Sequence, residues 1–366
     1  MTPQSADFFA GVPVQVDPEK IERELTKLWK PPEVEGDHPS AVTRACLSNL
    51  IAYLPGERAS EYLRELLPGV GRRFPSRFLL LSHNGARAGE LSASISAVCH
   101  LTSPGAPAVC CEQILLEAHP EAQRSSASGD PFGVFPGAVA PLLVPDVPVT
   151  LLVLSAGGER LLELLEPVVD RVVFDSRELP AAALGRPLAA LQKGRVSGID
   201  DLAWRETLPW RRTLREIFDD PRARPLLFSL REIQVAYSGV PACALLLAGW
   251  LASRVGRPAL PIRLDPTDRR QPAGRPGTLG AIHLEAGGSP GVEHLTVTLS
   301  DDAKRLRVAH ATRGACVIPR SVPFLAQDEA RLLGGAIERT TDQGVLRGAL
   351  EVACRTLSCN AEKSDG

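Results

Sequence analysis

Between Arg77 and Gln192 the chain switches repeatedly from short apolar runs to helical periods, and this alternation narrows its possible folds more than any other feature. Phe78-Leu-Leu-Leu81 follows a Pro-Ser turn and reads as a buried strand. Leu91 to Cys99 alternates apolar and polar residues, as a half-exposed strand does, and Cys110 to Leu116 reads as another. Gly133 to Leu143 predicts a helix, Val147 to Leu154 a strand, Glu159 to Val168 a helix, Arg171 to Phe174 a strand and Pro180 to Gln192 a helix. Strands that alternate with helices are covered on their faces by those helices. The expectation over 75–195 is an α/β domain with a mixed or partly parallel sheet and Rossmann-like layering.

The flanks have different periods. Asp17-Pro18 supplies an N-cap and a first-turn proline, and Ile21, Leu25, Leu28 and Trp29 then share one helical face. Ala41 to Tyr53 and Glu57 to Leu67 read as two more helices, so 1–74 is expected to be a helical segment packing on the first domain. Gly194 to Gly198 resembles a linker. Beyond it, Trp210, Leu214, Ile217 and Phe218 repeat at helical spacing, Ser229 to Tyr237 contains a strand, and Pro241 to Val255 is an apolar helix stopped by Gly256. A basic loop (265–278) leads to four short strands near 279–286, 293–300, 304–311 and 315–318, and then to a helical stretch from Gln327 to Leu357. Residues 196–366 are therefore expected to form an α+β domain with an antiparallel sheet and a terminal helical segment.

With 366 residues the chain can bury two cores, and a net charge of −2 gives no global electrostatic case for binding nucleic acid or an anionic membrane. The longest apolar run, Val240 to Ala252, is too short to span a bilayer. The start, Met1-Thr-Pro-Gln-Ser-Ala-Asp7, lacks the charged-then-apolar pattern of a secretory signal, so a cytoplasmic location is expected. Eight irregularly spaced cysteines argue against a disulfide framework, and most are expected to be buried thiols.

Few motifs carry chemistry. Gly157 and Gly158 lie between a strand and a helix, where a helix N-terminus can hold a phosphate, but Gly-Gly is also an ordinary strand-to-helix turn. Ser82 and His83 lie at a strand's carboxyl end, where α/β proteins bind ligands, but a polar loop turned by Asn84-Gly85 is the favoured reading. The seven histidines do not pair at i+3 or i+4, so no metal is expected, and no cofactor fingerprint is present. No nucleophile elbow or Cys-His arrangement points to catalysis. Cys354 and Cys359, near the end of the last helix, are candidates for a redox pair if that end frays.

The densest local signal is Asp201-Leu-Ala-Trp-Arg-Glu-Thr-Leu-Pro-Trp-Arg211, followed by Leu246-Leu-Ala-Gly-Trp-Leu-Ala-Ser-Arg254. Trp204, Trp210 and Trp250 are expected as core anchors of the second domain. Arg205, Arg211, Arg212 and Arg215 are expected outside, as candidate contacts to a protein partner.

These blocks resemble the glucose-6-phosphate dehydrogenase assembly protein family, OpcA. The resemblance rests on Asp201-Leu202, Trp204, Pro209-Trp210-Arg211, Phe218-Asp219 and Leu246 to Arg254. It extends to Thr43-Arg-Ala-Cys-Leu-Ser-Asn-Leu50, similar to an early helix of the family, and to Pro75-Ser-Arg77. Pro141 to Val149, Val173-Phe-Asp-Ser176 and Leu332 to Ala353 also fit. Departures at Glu206-Thr-Leu208, Arg257-Pro258 and Leu152-Val-Leu154 mark a divergent member. The resemblance implies a non-catalytic partner of glucose-6-phosphate dehydrogenase, promoting its assembly or activation at the head of the oxidative pentose phosphate pathway, with a thiol response in some relatives. Left open beside it is a sugar-phosphate or nucleotide-binding enzyme or sensor using the α/β domain.

Overall fold

A computed structural model describes residues 8–10, 12–28, 42–83, 91–101, 108–119, 130–155, 157–177, 179–266, 278–288, 291–312, 315–339 and 341–364. The chain divides into two units, one of Met1–Val173, Val196–Gly198 and Glu329–Arg339, the other of Phe174–Arg195, Ile199–Asp328 and Thr340–Gly366.

In the first unit the strands are, in chain order, β1 (Phe8–Ala10), β2 (Val14–Val16), β3 (Val42–Arg44), β4 (Asn49–Tyr53), β5 (Arg77–His83), β6 (Leu91–Leu101), β7 (Ala108–Ala118), β8 (Val149–Val153) and β9 (Arg171–Phe174). In space they run β1-β6-β7-β5-β4-β8-β9. β4 pairs in parallel with both β5 and β8, and β5 in parallel with β7. β6 and β7 form an antiparallel pair, so the sheet is mixed, as its sequence pattern predicts. Every residue of β4 and β8 is buried, because a parallel strand covered on both faces is apolar throughout its length.

The N-terminal segment differs from expectation. Ala41 to Tyr53, read as a helix, holds β3 and the central strand β4, and β1 and β2 pair with β6. Leu50-Ile-Ala-Tyr-Leu54 is a continuous apolar run. Such a run fits a buried helix and a fully buried strand equally well, and its short length favours the strand. Among the described residues of 1–74, these four strands thus join the sheet, beside the helices Ile21–Leu28, Glu57–Glu65 and Leu67–Arg73. A buried charge network fastens this region. Arg77, at the start of β5, is 3% exposed and pairs with Glu112 of β7 at 2.6 Å. Its guanidinium also donates to the Leu142 carbonyl at 2.6 Å and reaches Glu22 on the helix Ile21–Leu28.

A second correction concerns cysteine. Cys99 and Cys110 lie directly opposite in the β6–β7 ladder and form a disulfide. An antiparallel register brings residues far apart in sequence face to face, and irregular spacing along the chain conceals this.

The chain passes between the units within β9 and within β10 (Gly198–Asp201). The second unit adds β11 (Leu230–Tyr237), β12 (Ile262–Pro266), β13 (Leu279–Gly288), β14 (Gly291–Leu299), β15 (Arg305–Thr312) and β16 (Ala315–Pro323), ordered β12-β11-β13-β14-β15-β16. All neighbours are antiparallel except β11 and β12. One face carries Ile233, Val235, Ile282, Leu284, Leu295, Val297, Leu306 and Val308, all buried. The apolar helix Ala242–Arg254 packs on β11 and on the helix Gln343–Ser364, and it ends before Gly256, whose φ of +69° suits glycine. The terminal helical stretch is two helices, Glu329–Glu338 in the first unit and Gln343–Ser364 in the second. The expected basic loop lies outside the described residues over 267–277. No helix among the described residues is long and apolar enough to cross a membrane.

Candidate functional site

Ligands of open α/β sheets bind beyond the carboxyl ends of strands where the strand order reverses. Here that point is between β4 and β8: the chain leaves β4 for β5 on one side and later returns to β8 on the other. The site is filled by protein. Tyr53, the last residue of β4, is 8% exposed. Its ring stands edge-on to Phe132 at 5.0 Å and to His83 at 5.5 Å, and His83 meets Phe132 at 4.9 Å and Phe135 at 5.4 Å. Pro131 O lies 2.8 Å from His83 Nε2 and can only accept, so Nε2 carries the proton and Nδ1 accepts from the Tyr53 hydroxyl at 3.1 Å. Both ring nitrogens are thus occupied within the protein. Burial raises the Tyr53 phenol above its ordinary pKa.

The glycines expected as a phosphate cradle sit against this cluster. A Cβ on Gly157 would stand 2.4 Å from Tyr53 Cε1 and 2.9 Å from Phe132 Cζ, and one on Gly158 would stand 3.1 Å from Val153 Cα. Their missing side chains make room for the tyrosine and for β8, which is a packing role. Ser82 is fully buried, and its Oγ has no hydrogen-bond partner among the described residues. Gly157, Gly158 and His83 are brought together as the sequence places them, around an aromatic plug. Among the described residues, no group of three His, Cys, Asp or Glu side chains is arranged to hold a metal.

The tryptophan-arginine block builds a different feature in the second unit. Asp201 caps the helix Leu202–Glu206 by accepting from Ala203 N at 2.7 Å. Its fully buried carboxyl is pushed up to about 7 by burial, against the hydrogen bond from Ser176 and with Asp175 and Asp200 nearby. Trp204 and Trp210 are each 2% exposed, and Trp210 meets Phe324 edge-on at 6.3 Å. Arg211 lies over the Trp204 ring, 3.5 Å from its centroid, and its Nε donates to Thr207 Oγ1 at 2.9 Å. Burial and the neighbouring Arg205 bring its pKa down to about 9. Arg205 is clasped by buried Asp200. The outward placement expected of Arg205 and Arg211 is therefore corrected: a carboxylate and an indole face draw them inward. Arg212 and Arg215 are exposed.

Arg211, Arg212 and Arg215 line one groove of about 510 Å³, and Arg205 does not. Trp250, half-buried, forms part of its floor with Phe218, Leu251 and Val255. Among the members the sequence reading missed are Arg224, Arg254 and Phe228, the last 79% exposed. Arg254 was detectable, since it lies four residues after Trp250 on the same helix face. The helix Arg224–Ser229, which brings Arg224 and Phe228, gave no signal because it is only six residues long. Cys354 is a half-buried thiol raised by burial. The helix holding it runs to Ser364, which sets Cys354 and Cys359 about 7.5 Å apart in rise.

Residues 69–193 match the family model described as glucose-6-phosphate dehydrogenase subunit N-terminal domain, and 197–350 the one described as its C-terminal domain. The chain is 30% identical over 172 residues to the OxPP cycle protein OpcA of Synechococcus elongatus, a match covering 45% of this chain and 36% of that protein. It is 27% identical over 192 residues to its namesake in Nostoc punctiforme, covering 51% and 39%. The matched stretches thus span little more than a third of those relatives. Among solved structures, the 3-ketoreductase KijD10 of Actinomadura kijaniata is similar with a TM-score of 0.42 and 9% identity, covering 85% of this chain and 96% of that one. The yvaA oxidoreductase of Bacillus subtilis is similar with a TM-score of 0.41 and 10% identity, covering 88% and 98%. With consecutive family models matching most of its length and the tryptophan blocks in place, the chain belongs to the glucose-6-phosphate dehydrogenase assembly protein family, OpcA, as a divergent member.

Proposed function

We propose that this protein is a non-catalytic assembly protein and activator of glucose-6-phosphate dehydrogenase, acting in the cytoplasm at the head of the oxidative pentose phosphate pathway. The observation that carries the reading is the pair of consecutive family matches over 69–193 and 197–350. The aromatic cluster of Tyr53, His83 and Phe132 at the strand ends supports the non-catalytic part, since these side chains contact one another there. Arg212 and Arg215 are the proposed contacts with the dehydrogenase, with Arg205 and Arg211 shaping the surface beneath them. The test is dehydrogenase activity and particle mass at nanomolar enzyme, with and without the protein, in reductant and in oxidant. No change in either quantity sinks the proposal.

A thiol response belongs to the same proposal, and it has two candidate locations. One is Cys354 with Cys359; the other is the Cys99–Cys110 pair. Serine variants at each location separate them: the responsible pair is the one whose loss makes dehydrogenase activation indifferent to oxidant. The competing reading, a sugar-phosphate or nucleotide sensor at Gly157, Gly158, Ser82 and His83, requires the aromatic plug to leave. A ligand present at one hundred times its Kd adds about 2.7 kcal/mol of stability, so thermal shift with these compounds decides it.

A further inference from the structure

The groove of the second unit combines two chemistries that rarely share a surface without a partner. Its floor is apolar: Phe218 is 8% and Leu251 2% exposed, with Trp250 and Val255 half-buried beside them. Its walls are cationic. The helix Leu208–Asp219 supplies Arg211, Arg212 and Arg215, Arg224–Ser229 supplies Arg224, and Ala242–Arg254 supplies Arg254. Against these five guanidiniums the lining has one carboxylate, Asp219, although the whole chain carries a net charge of −2.

Three of the five cations are also uncommitted. Arg212, Arg215 and Arg254 make no hydrogen bond or ion pair among the described residues, and Arg224 has one bond, to the Asp219 carbonyl at 3.3 Å. On the rim Phe228 holds an aromatic ring 79% exposed. Planar guanidinium groups suit carboxylates bidentately, and a buried anchor beside a charged rim is the usual anatomy of a protein interface.

We propose that this groove docks an acidic segment of a partner protein, with carboxylates meeting Arg212, Arg215 and Arg254 and a bulky apolar side chain seated between Trp250 and Phe228. Charge complementarity selects that occupant. A small phosphate ester leaves the apolar floor unused, and a nucleic acid strand needs a basic track longer than this single groove on an otherwise acidic chain. The inference rests on the proposed assembly role for the existence of a protein partner, and it names the chemistry by which that partner is held.

The test uses the full chain and a fluorescein-labelled peptide carrying a Leu-Phe pair flanked by glutamates, read by anisotropy. Comparison probes replace the glutamates with lysine or the Leu-Phe pair with glycine, and a thymidine oligonucleotide and glucose 6-phosphate serve as competitors. The acidic peptide is expected to bind, to weaken as salt rises, and to lose at least tenfold in affinity both in R212E/R215E and when its Leu-Phe pair is removed. Phe228→Asp gives a similar loss, and Arg254→Ala provides a milder variant should the double reversal lower the melting temperature. Unchanged affinity in all three variants overturns the proposal. So does equal binding of the lysine peptide, or tighter binding of the oligonucleotide or the sugar phosphate at the same arginines. The dehydrogenase separates the two levels. If it responds equally to wild type and R212E/R215E, the groove proposal fails and the assembly reading stands. If it responds to neither while the peptide results hold, the assembly reading fails and the groove stands.

Discussion

Replacing Gly249 with alanine tests whether the helix pair beneath the groove is set by backbone approach. Gly249 sits in Leu246-Leu-Ala-Gly-Trp-Leu, where the helix Ala242–Arg254 crosses Gln343–Ser364. A Cβ there would stand 2.4 Å from the Ala349 carbonyl oxygen and 3.3 Å from Ala353 N. Both are backbone atoms of a neighbouring helix, so a rotamer change cannot relieve the contact; the helices must separate. Such overpacking costs about 3 kcal/mol at the upper end of its usual range, because facing side chains lose contact as the gap opens. Alanine returns about 1 kcal/mol through its better helix propensity. The net loss is about 2 kcal/mol, or roughly 4–8 °C in Tm for a unit of this size. Gly348→Ala on the facing helix is the control. Its Cβ would meet Ser253 Oγ at 2.3 Å, and Oγ is the end of a side chain that can rotate away. Differential scanning calorimetry of both variants reads the comparison. If Gly249→Ala melts at or above wild type, or no lower than Gly348→Ala, close approach does not explain this glycine.

Three further outcomes follow from buried polar groups and the disulfide. Arg77→Met leaves buried Glu112 with only the half-exposed Arg44 as its cation and is expected to cost about 3 kcal/mol in urea melts, whereas a loss below 1 kcal/mol would show the network to be ornamental. Asp201 titrates near 7 when folded and near its ordinary 3.8 when unfolded. Between those values the folded chain holds a proton the unfolded chain has released, so this group's contribution makes stability fall as pH rises through the window. Asp201→Asn should flatten that slope by up to about 1.4 kcal/mol per pH unit, and an unaltered slope rejects the assignment. Opening Cys99–Cys110 with reductant or with Cys99→Ser is expected to lower stability by about 2–3 kcal/mol, given a short closed loop; identical melts with and without reductant refute a stabilising role.

The parts of the fold legible in the sequence share a physical cause. β9 over Arg171–Phe174 and the helix ending at Arg254 have periods bounded by strong stops, and local chemistry decides them. β4 could not be read that way, because Leu50 to Leu54 owes its strand form to β5 and β8 on either side, and that information is not local. The same divide separates the candidate sites. Gly157 and Gly158 look like a phosphate turn until Tyr53, over a hundred residues earlier, is seen to fill the space above them. Arg205 and Arg212 look alike in sequence, and only Asp200 and the turn of the helix make one an internal clasp and the other a free cation.

That contrast bears on how a divergent member keeps a function. Two of the tryptophans that carry the resemblance are interior: Trp204 takes a guanidinium on its face and Trp210 packs on Phe324, so selection on them acts through folding. The exposed groove arginines Arg212, Arg215 and Arg254, by contrast, make no hydrogen bond or ion pair among the described residues. A family resemblance anchored on the first group identifies the scaffold. In the proposed function the partner contact rests on the second, and the groove variants act on it alone, since Arg212, Arg215 and Arg254 can change sign without disturbing a single described hydrogen bond.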